Sequence, residues 1–376
     1  MNAKKWLAIL MVAALLLTSL AGCKSAGTQE EAGAVVDEIV ENDTPTTDVE
    51  QDLPEKVDPN ADPEISDEEY VPDNTPNSGE ENEGNGQTPS DTPGEEDEGS
   101  DEPSNEPSDD EEVAVQYKEG NLLKVISYNV RCADDGPGRM IAERGPRLEY
   151  VVEKRDPDVI GFQEVTPKWR LMLEGYFGDK YDYVYKERSP GGECTPVFWK
   201  RDKFEKMDEG HFWLSETPDQ SSIGFGGQHY RVCSWVRLKV KATGAQFLYF
   251  NTHLDFSAEQ HVPSAKLMLN RAKAAGGFTN YGVIFTADWN MNPWKQGYNA
   301  IVESGDMSDV NYDLENLSDG TCNGYNDGDG SGGSIIDMCF YSPAKMAPID
   351  YHVIHEEVMG GYVSDHRGIY MEIAIL

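Results

Sequence analysis

The sequence has few cationic residues. Lysine and arginine together number 31, against 69 aspartate and glutamate residues, and the formal charge of the 376-residue chain is −38. Strong nonspecific binding of nucleic acid requires a basic stripe or patch. The shortage of cations therefore disfavours a nuclease. It does not exclude one, because divalent metal ions can supply the positive charge at a phosphate.

Long apolar runs are also lacking. The run from Trp6 to Leu17 follows two lysines and is too short and too early for a stable spanning helix. It leads into Leu20-Ala21-Gly22-Cys23, which is typical of a bacterial lipoprotein signal peptide. We therefore expect residues 1–22 to be a signal peptide and Cys23 to carry lipid, which would hold the protein on the outer face of the cell membrane. An ordinary secretory signal that happens to contain a cysteine is the alternative.

Large apolar side chains are nearly absent after Cys23. Between Lys24 and Val115 there are 32 acidic residues and two lysines, with many Pro, Gly and Ser. Such a segment cannot bury enough surface to offset its ordering entropy, so residues 23–115 are predicted to be a disordered acidic tether. Beyond the signal and the tether, 37 acidic and 27 basic residues remain, a formal charge of −10.

Cysteine is scarce, and the sequence shows no internal repeat. Five cysteines follow Cys23, an odd number that leaves at least one thiol unpaired. Residues 116–376 suit one large domain with a substantial core. Strand-like runs outnumber helical patterns there, and several are adjacent in sequence. This favours an α/β fold with two packed mixed sheets flanked by helices over a doubly wound parallel sheet.

Polar residues end several of the apolar runs. Asn129, Glu164 and His253 each close or follow one run, the pair Asp288/Asn290 closes another, and Ser364-Asp365-His366 lies near the end of the chain. One such polar end is unremarkable. Five with these residue types suggest that the strand ends converge on a hydrolase cleft.

Six short motifs occur in an order that resembles the endonuclease/exonuclease/phosphatase superfamily. They are Ser127-Tyr128-Asn129-Val130, Gln163-Glu164-Val165, Asn251-Thr252-His253-Leu254-Asp255, Ala287-Asp288-Trp289-Asn290, Ile336-Asp337 and Ser364-Asp365-His366. Each motif is weak alone. The resemblance covers residues 121–376 and implies a four-layered α/β/β/α sandwich that hydrolyses a phosphoester with a divalent metal, Mg²⁺ or Mn²⁺.

The metal ligands are expected among oxygen donors. Glu164 is the kind of ligand that Mg²⁺ prefers, and Asp365 and Asn129 could complete the shell together with water. Glu164 could instead cap the helix that the following Thr166-Pro167 would begin.

His366 is predicted to be a general base or an electrostatic partner of the scissile phosphate. Asp337 is the matching carboxylate in the family pattern and would fix the tautomer of the ring. A purely structural Asp-His pair is the alternative. The resemblance to pancreatic deoxyribonuclease likewise assigns Glu193 to orient a second histidine, His253, although Glu193 could also be a surface acid.

Asp288 and Asn290 are two residues apart and would point to the same side of an extended segment. Asp288 would hold or deprotonate the attacking water, and the Asn290 amide would donate to a phosphate oxygen. Arg231 matches an arginine that family members use near the phosphate, for which bidentate binding suits arginine. A charge on an exposed strand edge is the alternative for Arg231.

The sequence thus predicts a membrane-anchored, metal-dependent phosphoester hydrolase, expected to be monomeric. Water would attack directly, because no serine or cysteine nucleophile motif accompanies these residues. A small or lipid-derived phosphoester is the favoured substrate. An extracellular nuclease is the second interpretation, and a noncatalytic surface protein that keeps the fold is an alternative of another class.

Overall fold

A computed structural model describes residues 115–316, 319–322, 324–325 and 333–376. The predicted signal peptide, Cys23 and the tether up to residue 114 lie outside the described residues. In the part of the chain that is described, every helix is too short or too polar to cross a bilayer.

Twelve strands form two six-stranded sheets. The first sheet has the order β11-β12-β1-β2-β4-β3 and the second β5-β6-β7-β8-β10-β9. The strands are β1 Leu122–Asn129, β2 Val159–Gln163, β3 Tyr181–Val184, β4 Val197–Lys200, β5 Phe204–Trp213, β6 Val232–Val240, β7 Gln246–His253, β8 Gly282–Asp288, β9 Ser308–Asp309, β10 Asp337–Tyr341, β11 Met346–Val353 and β12 Ile369–Ile375.

Five helices are described: α1 Ile141–Arg155, α2 Pro167–Phe177, α3 Ala258–Ala274, α4 Gln296–Val302 and α5 Val310–Asp313. One apolar cluster lies between the sheets, a second joins the first sheet to α1 and α2, and a third joins the second sheet to α3 and α4. The predicted fold of two packed mixed sheets with flanking helices is confirmed. Because each sheet is covered on both sides, strands such as β2, β8 and β10 are buried at every residue.

Each sheet contains one parallel pair. β1 and β2 run parallel and are connected through α1, whereas β7 and β8 run parallel and are connected through α3. Parallel strands end at the same edge of a sheet, which is where ligands bind in α/β folds. The carboxyl ends of both pairs therefore carry the polar residues that the sequence singled out.

A buried polar network fixes the two sheets against each other beneath those ends. Gln163 Nε2 in β2 donates to Asn251 Oδ1 in β7 at 2.7 Å. The Asn251 amide returns a hydrogen bond to the Phe162 carbonyl at 2.7 Å, and Thr286 Oγ1 in β8 donates to Asn251 Oδ1 at 3.1 Å. Buried hydrogen bonds of this kind favour one relative placement of the two sheets that they join.

Candidate active site

Three neighbouring strands of the second sheet present their polar residues in one row. His253 in β7 is the register partner of Asp288 in β8, and Asp337 in β10 is the partner of Asp288 on its other side. Residues in register on adjacent strands point to the same face. The first sheet joins this row through Asn129, whose Nδ2 donates to Asp288 Oδ2 at 2.8 Å.

Two groups of carboxylate and histidine side chains could each hold a metal ion. Glu164, His253 and Asp288 form one group, and Asp288, Asp337 and His366 form the other, with the candidate ligand atoms within 4.8 Å of one another. Carboxylate oxygens are hard donors that suit Mg²⁺ or Mn²⁺. The structure thus brings together five residues, Glu164, His253, Asp288, Asp337 and His366.

Glu164 lies in a strained backbone conformation directly after β2. Its φ is 59°, a value that costs energy for a residue with a side chain. Its carboxylate accepts hydrogen bonds from Asn129 Nδ2 at 2.9 Å and from the Cys132 amide at 2.8 Å. Burial opposes ionisation, but these two hydrogen bonds still lower the pKa of Glu164 below its ordinary value.

Glu164 is not a helix cap. The helix α2 begins after Thr166, whose hydroxyl oxygen accepts the Trp169 amide at 3.3 Å. The capping alternative is therefore wrong, and the Glu164 side chain is left for the cleft.

His366 has the carboxylate partner that was predicted for it. Its Nδ1 lies 2.8 Å from Asp337 Oδ2, and its Nε2 lies 3.6 Å from Asp288 Oδ2. Burial disfavours the charged ring, but Asp337 and Asp288 outweigh it and raise the pKa of His366 well above its usual range. Because the raised pKa favours the protonated ring, His366 is better suited to act as an electrostatic partner or a proton donor than as a general base.

Asp288 is the most central of the site residues. It is 1 % exposed, and burial, opposed by His366 and reinforced by Asp337, raises its pKa to about 7. Its Oδ1 accepts the backbone amide of Asn290 at 3.0 Å. A carboxylate with this pKa can both hold and release a proton near neutral pH.

The predicted contact between His253 and Glu193 is not formed. Glu193 Oε1 instead lies 3.0 Å from Arg188 Nη2, and His253 Nδ1 has no hydrogen-bond partner among the described residues. The reason is local, because Arg188 and Glu193 face each other in a short hairpin closed by the Arg188 amide and the Glu193 carbonyl at 2.8 Å. The Glu193 carboxylate therefore pairs with the guanidinium of Arg188 instead of with His253.

The Asn290 amide also has partners within the protein. Its Nδ2 lies 2.9 Å from His253 Nε2 and donates to the Leu254 carbonyl at 2.8 Å. Donation to a phosphate oxygen, which the sequence predicts, therefore requires one of these contacts to be released.

Two predicted metal ligands are placed differently from the prediction. Asp365 lies outside both ligand groups, with Oδ2 3.6 Å from Arg131 Nε and Oδ1 accepting from Ser364 Oγ at 3.0 Å. Asn129 turns its amide nitrogen toward the carboxylates, and its Oδ1 accepts the Arg131 amide at 2.9 Å. Asn129 thus bridges Glu164 and Asp288 as a donor, because two anionic oxygens attract its N–H groups.

Arg231 is buried rather than exposed on a strand edge. Its side chain is 3 % exposed, and its Nε lies 3.8 Å from Asp255 Oδ2. Burial and the nearby Arg188 lower the pKa of Arg231, while Asp255 opposes the shift. Asp255 is itself held by the Gln228 and His229 amides, at 3.1 and 2.8 Å. The alternative of a surface charge is therefore wrong.

Arg144 is a site-supporting residue that the sequence analysis missed. Its guanidinium is fully buried and donates to carbonyls of the loop after β1 and of the loop before His366, namely Val130, Arg131, Ala133, Arg139 and Val363. The sequence of α1 could have indicated this role, because Arg144 lies between Ile141 and Leu148 on the apolar face of the helix. A cation at such a position needs buried acceptors.

Comparisons with known proteins agree with this geometry. A sequence profile described as the endonuclease/exonuclease/phosphatase family matches residues 126–366. A solved structure of a protein of that family from Bacteroides thetaiotaomicron is 31% identical, with a TM-score of 0.62, and the match covers 70% of this chain and 100% of that one.

A second solved structure is a mannosyl-6-phosphatase from Bacteroides thetaiotaomicron. It is 32% identical with a TM-score of 0.60, and the match covers 67% of this chain and 100% of that chain. The L388 protein of Acanthamoeba polyphaga mimivirus is 28% identical over 149 residues, which are 37% of this chain. The chain spans 55% of the length of that viral relative.

Proposed function

Because the chain belongs to the endonuclease/exonuclease/phosphatase family, a family of metal-dependent phosphoesterases, we propose that it hydrolyses a small phosphoester by direct attack of an activated water. The observation that carries this proposal is the convergence of Glu164, His253, Asp288, Asp337 and His366, whose ligand atoms form two overlapping groups around Asp288. Four of these residues come from different strands, or from the turn that follows one, and His366 precedes β12. These residues are far apart in sequence, and only the folded chain places them at one site.

Glu164 and Asp288 are the residues that would hold a divalent metal in the first group, and Asp288 and Asp337 would do so in the second. When bound, Mg²⁺ or Mn²⁺ neutralises phosphoryl charge and favours the ionised form of a nearby water. Their carboxylates are already oriented by protein contacts, since Asn129 binds both Glu164 and Asp288. Such orientation limits reorganisation when substrate arrives.

The other polar groups would handle protons and charge. Asp288 is placed to accept a proton from the attacking water. His366, held by Asp337, is placed to stabilise negative charge on the phosphoryl group or on the leaving oxygen. Arg231 would bind a phosphoryl oxygen from the side of His253, because both residues line the same cavity.

A small phosphoester is favoured as substrate over a nucleic acid. The formal charge of −10 for residues 116–376 disfavours strong electrostatic attraction of a polyanion. A relative that is 32% identical and matched over its full length bears the name of a mannosyl-6-phosphatase, which supports a phosphorylated sugar or a similarly small ester. A noncatalytic binding protein would not need two oriented carboxylate groups at one cleft.

We further propose that the enzyme acts on the outer face of the membrane, attached through lipid on Cys23. The support is the sequence alone: the run Trp6 to Leu17 followed by Leu20-Ala21-Gly22-Cys23. Radiolabelled palmitate should label the full chain expressed in bacteria and should not label the Cys23→Ala variant. Equal labelling of the two proteins would refute the anchor.

The proposed hydrolysis is tested with residues 116–376 fused to a cleavable tag and with the full chain in detergent. Both should release p-nitrophenol from p-nitrophenyl phosphate or its bis ester when Mg²⁺ or Mn²⁺ is added, and EDTA should abolish the release. His366→Ala should lower the rate in both preparations. Plasmid nicking measured beside phosphate release from mannose 6-phosphate separates the nuclease from the small-ester activity. Hydrolysis that persists in EDTA and in the variant contradicts the proposal.

A further inference from the structure

A small cavity opens beside His253 and contains two arginines. It is a half-open cleft, and its lining includes Arg188, Arg231, Glu164 and Glu193 as well as His253. Arg231 matches an arginine that family members use near the phosphate, whereas the sequence analysis did not single out Arg188. The cavity thus adds a second guanidinium to one side of the cleft.

Two nitrogen atoms of residues that line the cavity have no hydrogen-bond partner among the described residues. Arg231 is 4 % exposed and His253 is 6 % exposed, and neither Arg231 Nε nor His253 Nδ1 makes a hydrogen bond among the described residues. Leaving buried polar groups unpaired costs free energy. Arg231 and His253 thus each keep a buried nitrogen without a hydrogen bond beside the cleft that they line together with Arg188.

The position of Arg188 is fixed by its hairpin. The Arg188 amide donates to the Glu193 carbonyl at 2.8 Å, and the Arg188 carbonyl accepts Trp213 Nε1 at 2.8 Å. The guanidinium is held by Glu193, 3.0 Å from Arg188 Nη2. A guanidinium carries five N–H donors, so one carboxylate leaves others available to a ligand.

We propose that Arg188 and Arg231 together form an anion pocket that selects phosphomonoesters over phosphodiesters. A monoester phosphate carries about −1.5 to −2 charge at pH 7 and has three terminal oxygens. A diester carries a single charge and two terminal oxygens. The additional oxygen and charge of the monoester are what a second arginine recognises, because guanidinium groups bind phosphate in a bidentate way.

This inference rests on the proposed function and refines its substrate class. The experiment compares kcat/KM for p-nitrophenyl phosphate and bis-p-nitrophenyl phosphate in the wild-type chain and in Arg188→Gln. Arg188→Gln should lose about 10- to 100-fold on the monoester and less than about 3-fold on the diester. The matched control is Arg170→Gln, because Arg170 pairs with Glu187 on the same hairpin and does not line the cavity.

Equal losses on the two esters, or an unchanged rate on the monoester, would overturn the anion pocket. Calorimetric titration with inorganic phosphate in the presence of Mg²⁺ gives an independent measurement. Arg188→Gln should weaken phosphate binding at least about 10-fold relative to the wild-type chain and to Arg170→Gln. A wild-type chain that hydrolyses neither ester but binds phosphate through Arg188 would refute the proposed function and keep the pocket. Phosphate binding that ignores Arg188 would refute the pocket.

Discussion

His366 and His253 lie on opposite sides of Asp288, but their surroundings differ. His366 Nε2 is 3.6 Å and His253 Nε2 is 3.4 Å from Asp288 Oδ2. Asp337 binds the other ring nitrogen of His366, whereas the corresponding nitrogen of His253 has no partner in the described residues. Two histidines at similar distances from one carboxylate therefore have opposite electrostatic environments.

The pKa directions follow from this difference. Carboxylates around His366 raise its pKa well above the ordinary value despite burial. Burial, together with Arg231 and His366, lowers the pKa of His253 well below the ordinary value. The comparison shows that the second partner of a histidine, rather than the shared neighbour, decides whether the ring carries charge. The site therefore favours a positively charged ring at His366 and a neutral ring at His253.

The largest loss of kcat is expected for substitution of His366, the histidine whose ring is positively charged. His366→Ala should lower kcat on p-nitrophenyl phosphate by about 1,000-fold or more, because it removes a catalytic group and leaves Asp337 and Asp288 facing each other. His253→Ala should cost at least about 10-fold less. Steady-state kinetics of the two variants under saturating Mg²⁺ test this order. Equal losses would show that the two histidines contribute alike.

The next largest effect is expected for Asp337, the carboxylate that binds His366. Asp337→Asn removes the anion that supports the charged ring, so the pKa of His366 should fall and kcat should decrease about 100-fold. Nuclear magnetic resonance titration of the His366 ring in EDTA measures the first effect directly. His211 in β5 serves as the internal control, since burial and Lys186, rather than residues of the site, lower its pKa. An unchanged pKa of His366 would remove the electrostatic explanation.

Arg144 supports the His366 side through the backbone. It donates to the Val363 carbonyl and to the carbonyls of Val130 and Arg131, so Arg144→Lys should lower kcat about 10-fold with little change in KM. Millimolar guanidinium should restore part of the activity of Arg144→Ala, and the same concentration of sodium chloride should not.

The matched control for Arg144 is Arg147→Lys. Arg147 lies about one turn further along α1 and donates to the Gly138 and Tyr362 carbonyls. It should change kcat less than about 3-fold. A purely structural role for Arg144 predicts a lower melting temperature with normal kcat per folded molecule, and no rescue by guanidinium.

The last prediction concerns Asp309, a buried carboxyl that has no histidine partner among the described residues and whose effect is on stability rather than on catalysis. Asp309 is 1 % exposed, and burial raises its pKa from 3.8 to about 7, the same value as that of Asp288. Because the folded state holds a proton that the unfolded state releases, this contribution is complete below about pH 4 and is lost as pH rises to about 7. Relative to wild type, Asp309→Asn should gain on the order of 3 kcal/mol of unfolding free energy between these pH values.

Urea unfolding at pH 4 and pH 8 tests the contribution of Asp309. Both proteins are measured at each pH, so that the other titrating groups cancel in the difference. Catalytic rates should be unchanged, since Asp309 lies in β9 and outside the ligand groups. A difference in stability that does not depend on pH would mean that the Asp309 carboxyl is ionised in the folded protein.

Much of the site could be predicted because strand ends are visible in a sequence. Apolar runs closed by Asn129, His253 and Asp288 predict both the strands and the polar edge, and the fold of two mixed sheets is confirmed. Short elements such as β3 and α4 contain too few residues for a sequence pattern to identify them, so they were missed. Arg188 was missed as well, since an arginine in a polar turn looks like a surface charge until the hairpin is folded.

The sequence by itself determined which residues close the strands and, through the order of the motifs, the family to which they belong. Tertiary structure alone decided how those residues are paired. It placed Asp337 on His366 and gave Glu193 to Arg188 instead of His253, and it turned the Asn129 amide nitrogen toward two carboxylates. The physical reason is that alternation and strand length are local properties of the chain. Hydrogen-bond and charge partners depend on distances of a few ångström between segments far apart in sequence.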